Sequence, residues 1–506
     1  MRLLKFGLAL LILACGGQPQ SNDAPPTLQP RLPTGNYLDP AGTSLQLGSF
    51  PLNAVLSPEG DRLVVLLNGW REQGLQIVER STGRIVQTVE QKAAFIGLAF
   101  APDGKTLYVS GGNQEVIYRY NCRDKMATLR DTIIVGRKDS RGNGTYYPAG
   151  MAASSDGAFL YVAENLADSL AIVNLWNSQV KHVPAGRYPY GVVEDADGNV
   201  IVSAWGQNVL TVIDPQQGKV LAKIDGGRHP SAMVTTRDKS KLFVVSGSTD
   251  RVTIVDTRQR KVIGALQSSN GPGGEGATPN GLALSADERT LYVAEADNNA
   301  IAVWDLAPAR LKGRIPVEWY PTGVVVAGDS VLVINGKGKG TAPNPALPHP
   351  GTGTQNRDET TRRAYALGQL NGSLTTLTSN EFGDLAIQKM TPRVEAANGW
   401  NKSRTAAAYP PFEHVIYIIK ENRTYDQVFG DLPQGDGDTS LVFFPRNVSP
   451  NHHALAERFG LFDRFFVNAE VSAQGHNWST AAYTTDYVEK TVPSGYSDRG
   501  RSYDWE

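Results

Sequence analysis

The chain has 506 residues and a formal net charge of −1, from 49 basic and 50 acidic side chains. A chain of this length can hold two or three domains. Its balanced charge gives no field that would attract nucleic acid, so we exclude nucleic-acid binding as its main function. The 52 Gly and 30 Pro residues are typical of a turn-rich globular β protein rather than of a disordered chain.

The N-terminus carries a targeting signal. Arg2 and Lys5 precede an apolar run, residues 6–14, which is too short to span a bilayer but suits a signal peptide. The run ends in "ILAC", and Cys15 is followed by two Gly and a polar, Pro-rich segment. This pattern resembles a bacterial lipobox, which implies that Cys15 becomes the lipidated first residue of the mature protein. An ordinary signal peptide with an incidental Cys is the alternative.

We therefore predict a lipoprotein signal peptide at 1–14 and a flexible tether at 15–44 that holds the folded part off the membrane. The expected location is the extracytoplasmic side of the cell envelope, with the membrane as a partner through the lipid anchor. Cys122 is the only other cysteine, so no internal disulfide can form once Cys15 is lipidated.

Residues 45–378 contain seven copies of one unit, in which two short apolar strands flank an acidic turn. The copies begin "FPLNAVL", "FIGLAF", "YPAGMAA", "YPYGVVE", "HPSAMVT", "TPNGLAL" and "YPTGVVV". Most copies lie about 40 residues apart, which is the period of a four-stranded propeller blade. The units resemble the YVTN-type β-propeller repeat. We therefore predict a mainly β fold with a seven-bladed propeller, whose surface is available to a cell-surface partner.

Three details of the propeller can be predicted further. The Asp of each acidic turn is expected to cap its own backbone. The ring can close through "SLQLGSF" before the first copy or through "GSLTTLT" after the last. A loop insertion at 336–363 begins with "GKGKG", whose backbone amides and Lys could approach a phosphate, although it lacks the spacing of a P-loop.

The pattern changes after a predicted linker at 379–412. The apolar β-branched run 415–419 stops abruptly at Lys420, Glu421, Asn422 and Arg423, and predicts a buried strand that ends in a carboxylate and an amide. In open α/β sheets ligands bind at the carboxyl ends of strands, and carboxylate and amide oxygens are ligands for hard metal ions. The sequence therefore predicts a metal site at this elbow.

The residues that follow indicate an α/β layer rather than another blade. Leu455, Phe459 and Phe462 recur at helical spacing, and "RFFVNAEV" predicts a second strand that ends close to Ser472.

The stretches "HVIYIIKENRTYDQVFG" and "LAERFGLFDRFF" resemble the bacterial phosphoesterase family of phospholipases C and acid phosphatases, within the alkaline-phosphatase-like superfamily. The resemblance covers residues 413–506. It implies that Glu421 and Asn422 ligate a catalytic divalent metal ion, whose identity the sequence does not show. It also implies that Arg423 and Asp426 brace the elbow, while Thr424 caps the following helix.

The resemblance implies that the nucleophile is Ser472, nine residues after Asp463, although the Gly-Pro turn of the family is absent. Ser479 and Thr480 are the alternatives. A serine alkoxide needs a metal ion to lower its pKa, and a helix N-terminus can receive the phosphoryl charge. We therefore expect phosphoryl transfer to Ser472.

Three histidines and an asparagine accompany this segment. His476 is expected to contact the phosphoryl group or the leaving oxygen, with a structural role in a turn as the alternative. Asn477 is the candidate for the Asn that follows the nucleophile in the family, although it lies further along. For the adjacent pair His452 and His453, capping and packing are favoured over metal binding.

Domains of this superfamily are several times longer than residues 413–506, and their remaining metal ligands come from the later part. We therefore expect the chain to hold the N-terminal part of such a domain and to be a fragment of a longer protein. The predicted function is a metal-dependent hydrolase of phosphate esters, with a propeller that binds or positions a partner. The alternative is a non-catalytic cell-surface scaffold with an incomplete phosphoesterase domain.

Overall fold

The computed structural model describes residues 31–123, 125–269, 274, 276–341, 365–402 and 411–496. The predicted signal peptide and the predicted lipidation site Cys15 lie outside these residues, as does most of the predicted insertion at 336–363. Among the described helices, none combines the length and the apolar character needed to cross a membrane.

The described residues form a mainly β fold in which seven four-stranded antiparallel sheets are the blades of a propeller. The first half of the strands, in chain order, is β1 (Thr43–Gln46), β2 (Pro51–Leu56), β3 (Arg62–Asn68), β4 (Gln73–Glu79), β5 (Arg84–Glu90), β6 (Leu98–Phe100), β7 (Thr106–Ser110), β8 (Val116–Arg123), β9 (Met126–Ile134), β10 (Pro148–Ala153), β11 (Phe159–Glu164), β12 (Ser169–Asn174), β13 (Val180–Pro184) and β14 (Pro189–Glu194). The second half is β15 (Val200–Ala204), β16 (Val209–Asp214), β17 (Lys219–Asp225), β18 (Pro230–Thr235), β19 (Lys241–Ser246), β20 (Arg251–Asp256), β21 (Lys261–Gln267), β22 (Pro279–Leu284), β23 (Thr290–Glu295), β24 (Ala300–Leu306), β25 (Ala309–Pro316), β26 (Trp319–Ala327), β27 (Ser330–Gly338) and β28 (Ser373–Thr378). The predicted seven-bladed propeller is thus confirmed.

The apolar pattern of each strand follows from its place in the blade. The second strand of the first blade, β3, is buried along its whole length, since neighbouring blades cover both of its faces. The outer strand β5 instead alternates between exposed and half-buried residues. Turn aspartates act as predicted: Asp103 accepts hydrogen bonds from the backbone N–H groups of Lys105 and Thr106 at 2.8 and 3.1 Å.

Both candidate closing segments are used in the seventh blade, whose strand order is β1-β28-β27-β26. β28 is its third strand, and β1 is its outer strand, with Thr43 opposite Thr376 and Gln46 opposite Ser373. The ring is therefore closed by pairing the first strand of the chain with the last strand of the propeller, which protects the edge of β28.

The predicted tether at 15–44 is wrong in its described part. Leu32 and Leu38 are buried, and the Ala41 N–H donates to the Pro316 carbonyl at 2.9 Å. Two leucines in a polar, Pro-rich run gave no periodic signal, yet their burial fixes residues 31–42 on the propeller.

Six helices lie among the described residues after the propeller: α1 (Ser379–Phe382), α2 (Asp384–Ala397), α3 (Tyr425–Phe429), α4 (Pro450–Phe459), α5 (Ser472–Ala481) and α6 (Asp486–Gly495). The predicted linker at 379–412 is thus partly helical. α2 packs against the propeller by burying Ile387 and Val394, and Thr391 Oγ1 accepts a hydrogen bond from the Arg314 N–H of β25 at 2.9 Å.

The predicted α/β layer is not formed within the described residues. The run 415–419 forms no strand, and Val415 and Ile416 are 83% and 87% exposed. "RFFVNAEV" likewise forms no strand. A strand of a buried sheet needs neighbours on both edges and layers on both faces, and the described residues provide neither. The alkaline-phosphatase-like domain predicted for 413–506 is therefore not shown.

The predicted apolar helix face is also wrong. α4 ends at Phe459, before Gly460, so Phe462 lies beyond the helix. Leu455, Phe459 and Phe462 are all exposed. Their helical spacing is real as far as Phe459, but no described element covers the face that it creates.

Candidate functional site

One face of the propeller is formed where the first strand of each blade begins. Six residues that precede a proline in the first strand of a blade have a positive φ of 45–60°: Phe50, Tyr147, Tyr188, His229, Thr278 and Tyr320. This backbone conformation is uncommon outside glycine. It turns the chain sharply from the outer strand of one blade into the inner strand of the next. We call this face the mouth of the propeller.

Helix α6 occupies the mouth. The Tyr487 ring stacks on Trp205 with centroids 4.6 Å apart, and its hydroxyl donates to Asn165 Oδ1 at 2.6 Å. Asp486 Oδ1 accepts from Asn280 Nδ2 at 2.9 Å and from the Tyr320 hydroxyl at 2.8 Å. These partners belong to four different blades, so the helix is held across the propeller axis.

Two sets of buried ion pairs also stabilise α6 in the mouth. Lys490 Nζ lies 2.7 Å from Asp486 Oδ2, one turn earlier on α6. Lys337 Nζ of β27 lies 2.8 Å from Glu470 Oε1 and 2.8 Å from Glu489 Oε2. Burial opposes the charge on Lys337, but Glu470 and Glu489 outweigh burial and raise its pKa.

Lys337 is the first lysine of "GKGKG", for which the sequence predicts a candidate phosphate contact. In the structure its amino group is committed to two carboxylates, so this lysine is an internal anchor for α6. Lys337 could contact a phosphate only if both of these ion pairs were broken.

Glu489 should make the stability of this interface depend on pH. Burial raises the pKa of Glu489 to about 7, although Lys337 opposes the shift. The folded state therefore favours the protonated carboxyl, whose contribution is fully present below pH 4.5 and is lost as the pH rises through 7. We expect the free energy of unfolding to fall by on the order of 3 kcal/mol across this window.

Urea denaturation at pH 5 and pH 8 measures this change. Glu489→Gln should flatten the profile, whereas Glu90→Gln on the exposed outer strand β5 should leave it as in the unaltered chain. An identical profile for Glu489→Gln and the unaltered chain would show that another group controls the pH dependence.

Below α6 lies a cavity of about 220 Å³. Its wall includes one residue from the first strand of every blade: Asn53, Leu98, Met151, Val192, Met233, Leu282 and Val324. The cavity is therefore axial. Lys490 also lines it, so α6 closes the axial cavity at the mouth.

The predicted metal ligand Glu421 lies beside the predicted site histidine. Glu421 Oε1 is 3.4 Å from His476 Nε2, and both side chains are nearly half exposed. Of the predicted elbow, the cap of the following helix is confirmed, but the strand that should precede it is not formed. Thr424 is the N-cap of α3, and its backbone N–H donates to Gln427 Oε1 at 3.2 Å. Arg423 donates to the Asn422 carbonyl at 2.7 Å.

The three candidate nucleophiles lie on one helix, α5, but differ in their hydrogen bonds. The Ser479 hydroxyl donates to the Gly475 carbonyl at 2.8 Å, and the Thr480 hydroxyl donates to the His476 carbonyl at 2.6 Å. Ser472 is the first residue of α5, and its hydroxyl makes no hydrogen bond within the described part of the chain. His476 is one turn after Ser472 and shares its face of the helix. Asn477 is turned away from that face by the helical period.

The second histidine site is structural, as favoured from the sequence. His453 is fully buried in α4, with Nε2 2.7 Å from Asp431 Oδ1 and Nδ1 2.8 Å from the Ser449 carbonyl oxygen. The hydrogen bond from His453 lowers the pKa of Asp431. This pair ties α4 to the segment after α3.

The donor chemistry at the elbow fits a divalent ion. Glu421 and Asn422 would supply a carboxylate and an amide oxygen. Within the described ranges, no three His, Cys, Asp or Glu residues are grouped closely enough to hold a metal. The two residues would therefore be the only ligands from this part of the chain, and water or substrate would fill the other positions.

Sequence reasoning missed the role of α6. The run "TTDYVEK" contains a helix start, since Thr485 is the N-cap and its hydroxyl accepts from the Val488 N–H. It also contains the pair Asp486 and Lys490 at i and i+4. Both signals predict a helix, but neither shows that all of its residues after Asp486 are buried against a propeller.

Part of the propeller is similar to a known protein family. Residues 136–248, which span the third and fourth blades and part of the fifth, match the SMP-30/Gluconolactonase/LRE-like region. The chain is thus a seven-bladed β-propeller protein in which residues 136–248 are similar to that region. Comparison with curated protein sequences gave no match.

Among solved structures, the chain is similar to hydrazine synthase of Kuenenia stuttgartiensis, with 19% identity, a TM-score of 0.48, and coverage of 59% of this chain and 96% of that one. A streptogramin B lyase is similar at 14% identity and a TM-score of 0.49, with 67% and 98% covered. A catalytically inactive variant of virginiamycin B lyase from Staphylococcus aureus with quinupristin is similar at 13% identity and a TM-score of 0.48, with 58% and 96% covered. Likenesses at this level carry no argument about activity.

Proposed function

We propose that the chain is a metal-dependent phosphate-ester hydrolase, anchored outside the cytoplasm through Cys15, with Ser472 as its nucleophile. The observation that carries the proposal is the 3.4 Å approach of Glu421 and His476, which are 55 residues apart in sequence. The resemblance to phosphoesterases made Glu421 a metal ligand, and His476 was a separate candidate for contact with the phosphoryl group; the elbow and α5 meet at that pair.

Each residue has a defined task in this proposal. Glu421 and Asn422 would hold the divalent ion, which when bound stabilises negative charge on a phosphoryl oxygen. Ser472 would attack phosphorus, and its position at the start of α5 places the phosphoryl oxygens near the positive end of the helix. His476, on the same face, would transfer the proton between Ser472 or water and the leaving oxygen.

The full-length protein should cleave an aryl phosphate such as p-nitrophenyl phosphate, or the corresponding diester, when supplied with a divalent metal. Removal of the metal with EDTA should abolish turnover, and readdition should restore it. Assays with Mg²⁺, Ca²⁺, Mn²⁺ and Zn²⁺ cover the ions that accept this donor set. Absence of cleavage of both esters with every ion would contradict the proposal.

A binding or scaffold protein is the second candidate, and α6 in the mouth favours it. The helix fills the face that surrounds the axial cavity, and it does so with specific hydrogen bonds to several blades. If the protein is a scaffold, the propeller organises the C-terminal segment and binds a cell-surface partner. The residues of the elbow then catalyse no reaction.

A further inference from the structure

A second cleft, separate from the elbow and from the axial cavity, lies at the edge of the mouth. It has a volume of about 590 Å³, within the range typical of small-molecule sites. Three aromatic residues line it: Trp400 after α2, Trp478 on α5, and Tyr483 between α5 and α6. Propeller loops supply the opposite wall through Ser248, Thr278 and Asp297. We call this the aromatic cleft.

The wall around Trp400 is held in place. Asn36 Nδ2 donates to Asn398 Oδ1 at 2.9 Å, and Asn398 Nδ2 donates to the Asn298 carbonyl at 3.0 Å. The Arg314 guanidinium lies 5.3 Å from the Trp400 ring centroid, and Arg314 is itself paired with a buried glutamate. The ring is thus positioned before any ligand arrives, which lowers the entropic cost of binding.

The carboxylates of the aromatic cleft are not equivalent. Asp486 is held by Tyr320, Asn280 and Lys490. Asp250 accepts three backbone N–H groups from residues 276–278. Asp297 accepts from the Thr278 hydroxyl at 2.5 Å through Oδ2, and its Oδ1 keeps its capacity to accept hydrogen bonds.

Two further polar atoms at the aromatic cleft have no protein partner. Trp478 Nε1 and Thr484 Oγ1 are both buried, and neither has a hydrogen bond within the described part of the chain. A buried polar group of this kind costs free energy unless a ligand or water satisfies it. Both atoms are covered by the protein, so the aromatic cleft itself presents the Asp297 carboxylate beside three rings.

We infer that the aromatic cleft binds an uncharged oligosaccharide. Aromatic rings pack against the C–H faces of sugar rings, while a carboxylate accepts hydrogen bonds from the hydroxyls. The lining holds Arg228 and three aspartates, of which Asp486 is paired with Lys490 and Asp250 is held by three backbone N–H groups. Arg228 therefore opposes a cationic ligand, and Asp297 opposes an anionic one. This inference does not depend on the proposed phosphoesterase activity.

Titration calorimetry of the full chain with cellotetraose, maltotetraose and tetra-N-acetylchitotetraose tests the inference. We expect saturable binding of at least one of them. Asp297→Asn and Trp400→Ala should each weaken that binding about tenfold or more, the loss typical of a charge-assisted hydrogen bond or a stacked ring. Trp176→Ala, at a ring that is 89% exposed on an outer turn, should bind like the unaltered chain.

Asp297→Asn keeps nearly the same shape, so it carries the test even if Trp400→Ala does not fold. No binding of any tetrasaccharide by the unaltered chain would overturn the inference. Equal binding by Asp297→Asn would overturn it as well. Binding of tetramethylammonium or inorganic phosphate at the aromatic cleft, in place of a tetrasaccharide, would assign a charged ligand instead.

Discussion

Ser472→Ala is expected to lower the rate of phosphate-ester cleavage by about 10³-fold or more. The substitution removes the hydroxyl that would attack phosphorus and leaves the helix start and the Glu421–His476 pair in place. The measurement is kcat on p-nitrophenyl phosphate with the preferred divalent ion. Glu421→Ala should give a loss of the same order, because it removes a metal ligand.

The matched control for Ser472→Ala is Thr480→Ala on the same helix. The Thr480 hydroxyl is already bonded to the His476 carbonyl, so its loss should leave turnover within about twofold. If Thr480→Ala abolishes turnover while Ser472→Ala does not, the nucleophile is wrongly assigned although the reaction class stands. Circular dichroism of each variant checks that α5 is still formed.

The propeller was predictable because its signal is repeated and local. Seven units carry the same strand-turn-strand pattern, and in five of them the turn Asp accepts a hydrogen bond from the backbone N–H two residues on, as Asp103 does. A repeat needs only its neighbours for burial, so sequence period and blade period coincide. The closure of the ring was also largely predictable, since both candidate segments are strands of one blade.

The C-terminal segment was harder to predict because its elements depend on distant partners. The run 415–419 has the composition of a buried strand, but composition does not supply neighbours, and the run is exposed in the described fold. Thr424 was predictable as a cap because capping is local. The approach of Glu421 to His476 was not predictable, because the resemblance gave a role only to Glu421 and no local pattern links the two residues.

The position of α6 in the mouth could not be predicted from the two stretches that make the contact. "GKGKG" was a candidate contact for a phosphate, and "TTDYVEK" has local signals only for a helix. The structure joins them, because Lys337 from the first binds Glu489 from the second across 152 positions of sequence. No pattern within either stretch predicts this ion pair, because it forms only when folding buries the two charged side chains next to each other.

Lys337→Met is expected to destabilise the docking of α6 by about 3–5 kcal/mol, the usual cost of removing one partner from a buried ion pair. Methionine keeps the length and volume of the side chain, so the loss is mainly electrostatic. Glu470 and Glu489 would then face each other without the amino group that now lies 2.8 Å from both. Amide hydrogen exchange across residues 486–495 measures the docking directly. Lys339→Met, two residues along on an exposed side chain, is the matched control and should leave exchange unchanged.

The pH dependence separates this electrostatic cost from a packing defect. At pH 5 Glu489 can take up a proton, since burial already raises its pKa to about 7, and one of the two unpaired charges disappears. The exchange rate of α6 in Lys337→Met should therefore approach that of the unaltered chain at pH 5 and depart from it at pH 8. Adding Glu489→Gln to Lys337→Met should recover part of the loss at pH 8, because the double variant leaves a single buried carboxylate at this site. The rings of Trp319 and Tyr320 lie 5.2 and 5.3 Å from the Lys337 amino group, so packing on these rings is the alternative way in which Lys337 could hold α6. A loss of protection that is the same at both pH values, and that Glu489→Gln does not reduce, would show that packing rather than charge holds the helix.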